Sequence, residues 1–292
     1  MRKTKEQTVK PVKTGFWRDA WRRLRKNKSA MLGLAILILM ILCAVFADLI
    51  APHPYDLQDY SHTFEGPSAE HLLGTDNFGR DILSRIIHGA RISLLVGFSS
   101  IITAIIVGGL LGAISGYYGG KVDNFLMRAM DILMSIPGML MAISLAAAMG
   151  PGLTNMVIAI AIADIPGYAR VVRSSVLTIK DQEYIEAAQS IGASDARIIL
   201  KHIIPNCIAP IIVQATLGMA GAILSASSLS FLGLGIQPPT PEWGSMLSAA
   251  RQYIMNYPHM CIFPGIAIMV TIFALNMLGD GLRDALDPRL KN

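Results

Sequence analysis

Long uncharged stretches alternate with short polar ones along this chain. The first runs over 30–50, AMLGLAILILMILCAVFADLI, and meets no charge before Asp48. The second is uncharged from Ile92 to Tyr118, and a third from Ile132 to Ala163 is interrupted by the turn MGPGLTN at 149–155. Two more cover about 207–236 and 259–279. A bilayer core about 30 Å thick needs about 20 mostly apolar residues in helical form. The pattern therefore predicts six membrane-spanning helices, at about 30–50, 91–118, 124–149, 153–172, 207–236 and 259–279. One polar stretch breaks the rhythm: EYIEAAQSIGASDARIILKHIIPN, residues 183–206, lies between the fourth and fifth spans.

Composition agrees with a chain whose solvent is partly lipid. Of 292 residues 53% are hydrophobic and only 15% are charged, against about a quarter charged in soluble domains. The net charge of +5 is not spread evenly. Residues 1–28 hold eleven Lys/Arg against Glu6 and Asp19. A basic flank before an apolar run orients a helix with that flank in the cytoplasm, and this reading is preferred to a nucleic-acid-binding arm or a cleaved signal peptide. Segments 1–28, 117–131, 165–206 and 280–292 carry 21 of the 25 Lys/Arg. The expected topology thus has both termini cytoplasmic, a basic N-terminal segment 1–28, a six-helix transmembrane domain 29–292, extracytoplasmic segments 51–90 and 237–258, and a cytoplasmic loop 173–206. Cys43, Cys207 and Cys261 are too scattered for a disulfide framework or a metal knuckle.

Within the spans, Gly108, Gly112, Gly116 and Gly120 recur every four residues. On a helix that makes one smooth stripe for a neighbouring backbone, and Gly218, Ala222 and Ala226 repeat the device. Arg128 and Asp131 are spaced to pair on one helix. Asp164 precedes Pro166, a kink site, with Arg170 and Arg173 nearby, and is read as structural rather than as a proton relay. In the extracytoplasmic segments Asp76 or Asn77 is placed to cap the helix entering the second span, and Trp243 suits a membrane interface.

The polar stretch reads as two short helices. Tyr184, Ile185, Ala188 and Ile191 share helical spacing, Gly192 can take the left-handed conformation that ends a helix, and Ser194 or Asp195 can cap the next one, which Pro205 closes. Such a thin, amphipathic element suits a groove in another protein better than a lipid surface, which favours more Lys/Arg and bulkier apolar residues.

EAAQSIGASDARIILKHIIP resembles the EAA loop of bacterial ABC-importer permeases: EAA, three residues, Gly, nine residues, Ile, one residue, Leu-Pro. Glu186, Ala187, Ala188, Gly192 and Pro205 fall on that motif, while His202 and Ile204 replace its Ile and Leu. HLLGTDNFGRDILSRIIHGARISL (71–94), SASSLSFLGLGIQPPTPEWGSML (225–247) and GDGLRDALDPRLK (279–291) resemble the dipeptide/oligopeptide/nickel branch. Within it the chain resembles the second, six-span permease of the pair, the C-type subunit. The resemblance implies an all-α, type I importer permease fold in the bacterial inner membrane, with residues 183–206 as a coupling helix on the ATPase. It also implies a heterodimer with a second permease, two cytoplasmic ATPases that bind ATP and Mg, and an extracytoplasmic binding protein. Peptides are the expected cargo, with nickel or a metal chelate as the alternative.

Other chemistries lack their signatures. Gly120-Lys121 is the sole Gly-Lys pair, but Ser115 and Val122 stand where a P-loop needs Gly and Ser/Thr. His53, His62, His71, His88, His202 and His259 form no HExxH or other ligand spacing, and no GxSxG occurs. The expectation is a transport subunit without a catalytic, cofactor or metal site of its own. A self-sufficient secondary transporter would call for membrane-buried charges and broken-helix repeats, which the sequence does not present.

Overall fold

The computed structural model describes residues 16–286, and among these the regular secondary structure is helical apart from one isolated bridge, Thr75 with Asp81. The basic segment before residue 16 and the last six residues lie outside the described residues. Helix α1 (Phe16–Leu24) leads into α2 (Lys28–Val45), whose first turn is closed by Asn27 accepting from the Ala30 amide at 3.2 Å. A single turn, α3 (Ala47–Ile50), follows. Then comes α4 (Ile82–Tyr118), 37 residues long. At 1.5 Å per residue it extends roughly 55 Å, well beyond an apolar core about 30 Å thick. Its first nine residues therefore extend past the predicted span, because helical backbone pairs its own hydrogen bonds wherever it lies.

The predicted third span is two helices. α5 (Gly120–Met134) and α6 (Gly138–Met149) meet at 84°. Pro137 is the cause: it lacks an N–H, and its ring pushes Ile136 away from helical torsions. A second break separates α6 from α7 (Leu153–Ile179), where Gly150 (φ +84°) and Gly152 (φ +142°) adopt torsions that side chains disfavour. Two short helices follow, α8 (Glu183–Ser190) and α9 (Asp195–Ile198), then α10 (Ile208–Phe231), α11 (Trp243–Ala250) and α12 (His259–Leu286). Among the described residues five stretches, containing α2, α4, α7, α10 and α12, are long and apolar enough to cross a membrane, and there are six if the bent α5–α6 pair counts as one span.

The glycine stripe is where α4 meets α7. A Cβ on Gly108 would lie 2.5 Å from the Ile165 carbonyl oxygen, and one on Gly116 2.8 Å from Val176 Cβ. On Gly112 it would strike the Ala169 carbonyl directly. Gly120 leaves the stripe: it begins α5 at φ +51° with open space around it. On α10, Gly218 lies against the Tyr168 hydroxyl, and Ala222 and Ala226 are buried. The core runs through Val96, Ile101, Met156, Ile160, Tyr168 and Leu229.

At the end of the bundle where α4 begins, residues 51–81 and 232–258 form a cap. Asp81, not Asp76 or Asn77, caps α4, accepting from Ser84 N at 2.7 Å. Asp76 instead organises the preceding turn through Phe78 N and Arg80 N, and pairs with the Arg80 and Arg85 guanidinium groups at 2.7 and 3.7 Å. Trp243 is not at a lipid interface. It is fully buried against α4, its Nε1 donating to Ile86 O at 3.0 Å, with Gly89 making room. Beside it the buried Glu242 carboxylate caps α11, accepting from Gly244 N, Ser245 N and, at 3.4 Å, Ser93 Oγ.

Two outcomes follow from this packing. Gly112→Val should destabilise the detergent-purified chain by about 1–3 kcal/mol or more through overpacking. Gly221→Ala, with open space at its Cβ, should leave the thermal midpoint unchanged or slightly raised. Burial pushes the Glu242 carboxyl above its ordinary value of 4.5. A proton held more tightly when folded means stability falls as pH rises from that value through the folded one. Thermal melts from about pH 5 to about pH 8 should therefore show a smaller decline for Glu242→Gln than for the wild type.

Candidate functional site

The hairpin 183–206 sits at the opposite end of the bundle from the cap, rooted in a core of its own. α8 turns Ile185 and Ala188 inward, where they join Ile198, Ile199, Ile203 and Cys207 against Ala113, Val172 and Val176. The same helix presents Glu183, Tyr184, Glu186, Ala187 and Gln189 to the surface, and Ile191 just beyond it is 85% exposed. Burying a side chain like Ile185 fully contributes about 1.5–3 kcal/mol, so the inner face holds the hairpin while Glu183, Tyr184, Glu186 and Ala187 stay exposed.

The turn is built by backbone bonds. Gly192 sits at φ +78°, its N–H donating to Gln189 O at 2.9 Å, and the Ala193 N–H reaches back to Ala188 O at 3.1 Å. This pair of bonds closes a helix on a left-handed residue. The space around Gly192 is open, with no atom within 4 Å of a Cβ placed there. Ser194 occupies the start of α9 without a side-chain capping bond. Asp195 is used differently from its expected capping role: its carboxylate accepts from the Tyr117 hydroxyl at 2.8 Å and the Tyr118 hydroxyl at 3.0 Å. Gln189 adds a bond to Tyr117 at 3.4 Å. The last turn of α4 thus grips both arms of the hairpin.

The second arm does not stop at Pro205. α9 widens into a π turn over Ile199–Ile203, tightens into a 3₁₀ turn over Ile204–Cys207, and runs on into α10. Pro205 has no N–H to offer the carbonyl four residues back, and the wide turn before it redirects the Ile204 amide to Ile199 O. The second arm therefore joins α10 through helical turns of changing pitch, without an intervening loop. Of the motif residues, Glu186, Ala187 and Gly192 lie exposed together around the end of α8. Ala188 faces inward, and Pro205 is exposed where the second arm enters α10.

Charged residues nearby link α5 to α7. Asp131 pairs with Arg170 at 2.5 Å rather than with Arg128, and Asp123 takes both Arg173 nitrogens at 2.5 Å while also accepting from Ser115. Asp164 is half-buried on α7, and the two arginines expected beside it are committed to these other carboxylates. Sequence reasoning missed the tyrosine anchor, although its signal was present: two adjacent tyrosines ending an apolar run, directly before Gly119-Gly120. Replacing both Tyr117 and Tyr118 by Phe keeps the ring packing and removes both bonds to Asp195. At about 0.5 kcal/mol for each of these exposed bonds, about 1 kcal/mol together, amide hydrogen exchange over 183–203 should accelerate about fivefold while exchange in α7 stays unchanged.

Residues 108–292 match the family described as binding-protein-dependent transport system inner membrane component, and residues 15–67 match the N-terminal transmembrane domain of oligopeptide transport permease C. A dipeptide transport system permease protein of Alkalihalophilus pseudofirmus is 51% identical over 276 residues, covering 94% of this chain and 91% of that protein. A glutathione transport system permease protein of Escherichia coli is 48% identical over 278 residues, again covering 94% and 91%. In fold, the chain is similar to a subunit of the MetNI methionine ABC transporter solved in inward-facing conformations, with a TM-score of 0.57 at 17% identity, covering 70% of this chain and 96% of that one.

Proposed function

The chain belongs to the binding-protein-dependent transport system inner membrane components, and from that premise we propose that it forms half of a pathway for di- and oligopeptides and that residues 183–206 couple it to an ATPase. It is a multi-pass transport subunit of the inner membrane. Relatives named for dipeptide and glutathione transport support a peptide cargo. In this reading a second, homologous permease completes the pathway. Two ATP-binding subunits carry ATP and Mg, and a binding protein delivers cargo to the cap, so this chain needs no catalytic site. Both termini and the hairpin face the cytoplasm, in keeping with the Lys/Arg asymmetry.

The observation that carries the coupling reading is the division of α8 into a buried and a bare face. Ile185 and Ala188 are locked into the bundle, while Glu186, Ala187 and Gly192 offer a thin, uncluttered surface to a partner groove. Ala187 and Gly192 keep that surface narrow, Glu186 supplies a charge, Ala188 closes the inner side, and Pro205 shapes the passage into α10. ATP hydrolysis can move the spans only if the ATPase's two states contact this surface differently.

Gly192→Asp tests the reading. The internal cost is confined to backbone torsion, roughly 1 kcal/mol, since open space surrounds the position. Membrane insertion and pairing with the second permease should persist, while peptide uptake and transport-stimulated ATP hydrolysis by the complex should fall at least about tenfold, equivalent to about 1.4 kcal/mol of coupling. Normal uptake in that variant would rule the hairpin out as the coupling element.

A further inference from the structure

Folding brings His53, His71 and Asp81 together at the entrance to α4, although the sequence separates them widely. A ring nitrogen from each histidine and a carboxylate oxygen of Asp81 lie within 4.8 Å of one another. His71 Nδ1 is 3.1 Å from Asp81 Oδ1, and the His53 and His71 rings stand 4.8 Å apart between centroids. We propose that these three side chains form a zinc-class divalent cation site, with water completing the coordination.

Three features support the assignment. The donor set is right: two imidazoles and one carboxylate suit zinc, which takes a water as its fourth ligand in such sites. At bond lengths of about 2.0–2.2 Å, tetrahedral ligand atoms stand about 3.3 Å apart. The His71–Asp81 pair already meets that separation, and His53 needs to close by only about 1.5 Å. Second, the ligands are held from behind. The other Asp81 oxygen accepts from Ser84 N and Ser84 Oγ, both at 2.7 Å. Ser84 Oγ in turn receives the His53 backbone N–H at 3.0 Å, and His53 Nε2 lies 3.2 Å from Glu70 O. Such outer bonds fix ring orientation and tautomer in metal sites. Third, access and charge are favourable. His71 and Asp81 are buried while His53 is half-buried, and the exposed carboxylates of Asp56, Asp59 and Glu70 share the segment.

Without the cation, His71 Nδ1 and Asp81 Oδ1 face each other at hydrogen-bond distance. A bound cation would sit between them and tie residues 53 and 71 of the cap to the N-cap of α4. The site is separate from the hairpin, at the other end of the bundle, and stands or falls independently of the coupling reading.

The test uses the full chain purified in detergent, stripped with chelator, and titrated with Zn²⁺ by calorimetry, with Co²⁺ absorption as a second readout. The expected result is one Zn²⁺ per chain, a raised thermal midpoint, and intense tetrahedral Co²⁺ bands that Zn²⁺ displaces. His53→Ala and His71→Gln should each weaken binding by at least about tenfold. His259→Ala, a cap histidine whose Nε2 meets Thr75 O at 3.3 Å, should bind like the wild type. His53→Ala removes a partly exposed side chain and keeps the test decisive if His71→Gln misfolds. Absence of stoichiometric binding, or equal binding by wild type and His53→Ala, would overturn the proposal.

Discussion

The contact on which the rest of this structure depends is the close approach of α4 and α7. Lipid tails are as apolar as the side chains they replace, so spanning helices gain little from hiding hydrophobic surface from each other. What remains is dispersion, which falls off steeply when atoms separate by even a fraction of an ångström. Gly108, Gly112 and Gly116 let the α7 backbone settle where Cβ atoms would otherwise stand. Everything else hangs from that pair: α6 and α10 pack on it through Met156, Ile160, Leu229 and Tyr168, and both ends of the bundle are built on extensions of the same two helices.

At one end, the extension of α4 carries the cap. Its first turns bury Arg85 and Ile87 and receive Trp243, while Asp76 stands between two guanidinium groups. Burying charges is costly unless they are paired and hydrogen-bonded, and here each carboxylate also caps a turn or a helix. The cap is therefore a polar but closed structure whose geometry is set by these paired and capping groups.

At the other end, α4 finishes in Tyr117 and Tyr118, and α7 contributes Val172 and Val176. Both arms of the hairpin rest on this floor. The hairpin is thus rigidly joined to the helices that form the middle of the bundle, and its second arm is continuous with α10. Side chains packed on α4 and α7, and helical turns of changing pitch leading into α10, connect the hairpin to the bundle. This arrangement makes a short polar loop mechanically useful.

How much of this was legible beforehand differs by element. The uncharged runs marked the spans because a bilayer imposes a length and an apolar composition that no other environment demands, and the Gly150–Gly152 turn divided the third span from the fourth for local torsional reasons. The hairpin's turn at Gly192 was legible for the same local reason, and the four-residue glycine stripe announced a contact. The identity of the partner helix did not follow, since spacing says that a backbone can approach but not which one. Helix ends outside the apolar runs were misplaced, because hydrogen-bonded backbone continues wherever tertiary contacts support it. The bond from Asp195 to α4, the pairing of Asp131 with Arg170, the burial of Trp243 and the meeting of His53, His71 and Asp81 were invisible. Each joins residues far apart in the chain, and a polar side chain's partner is decided by which surfaces the fold brings within about 3 Å. The sequence alone determined an all-helical membrane chain with a polar hairpin of recognisable pattern. Only the tertiary structure decided what the hairpin leans on, because packing, unlike hydrophobicity, is a property of pairs.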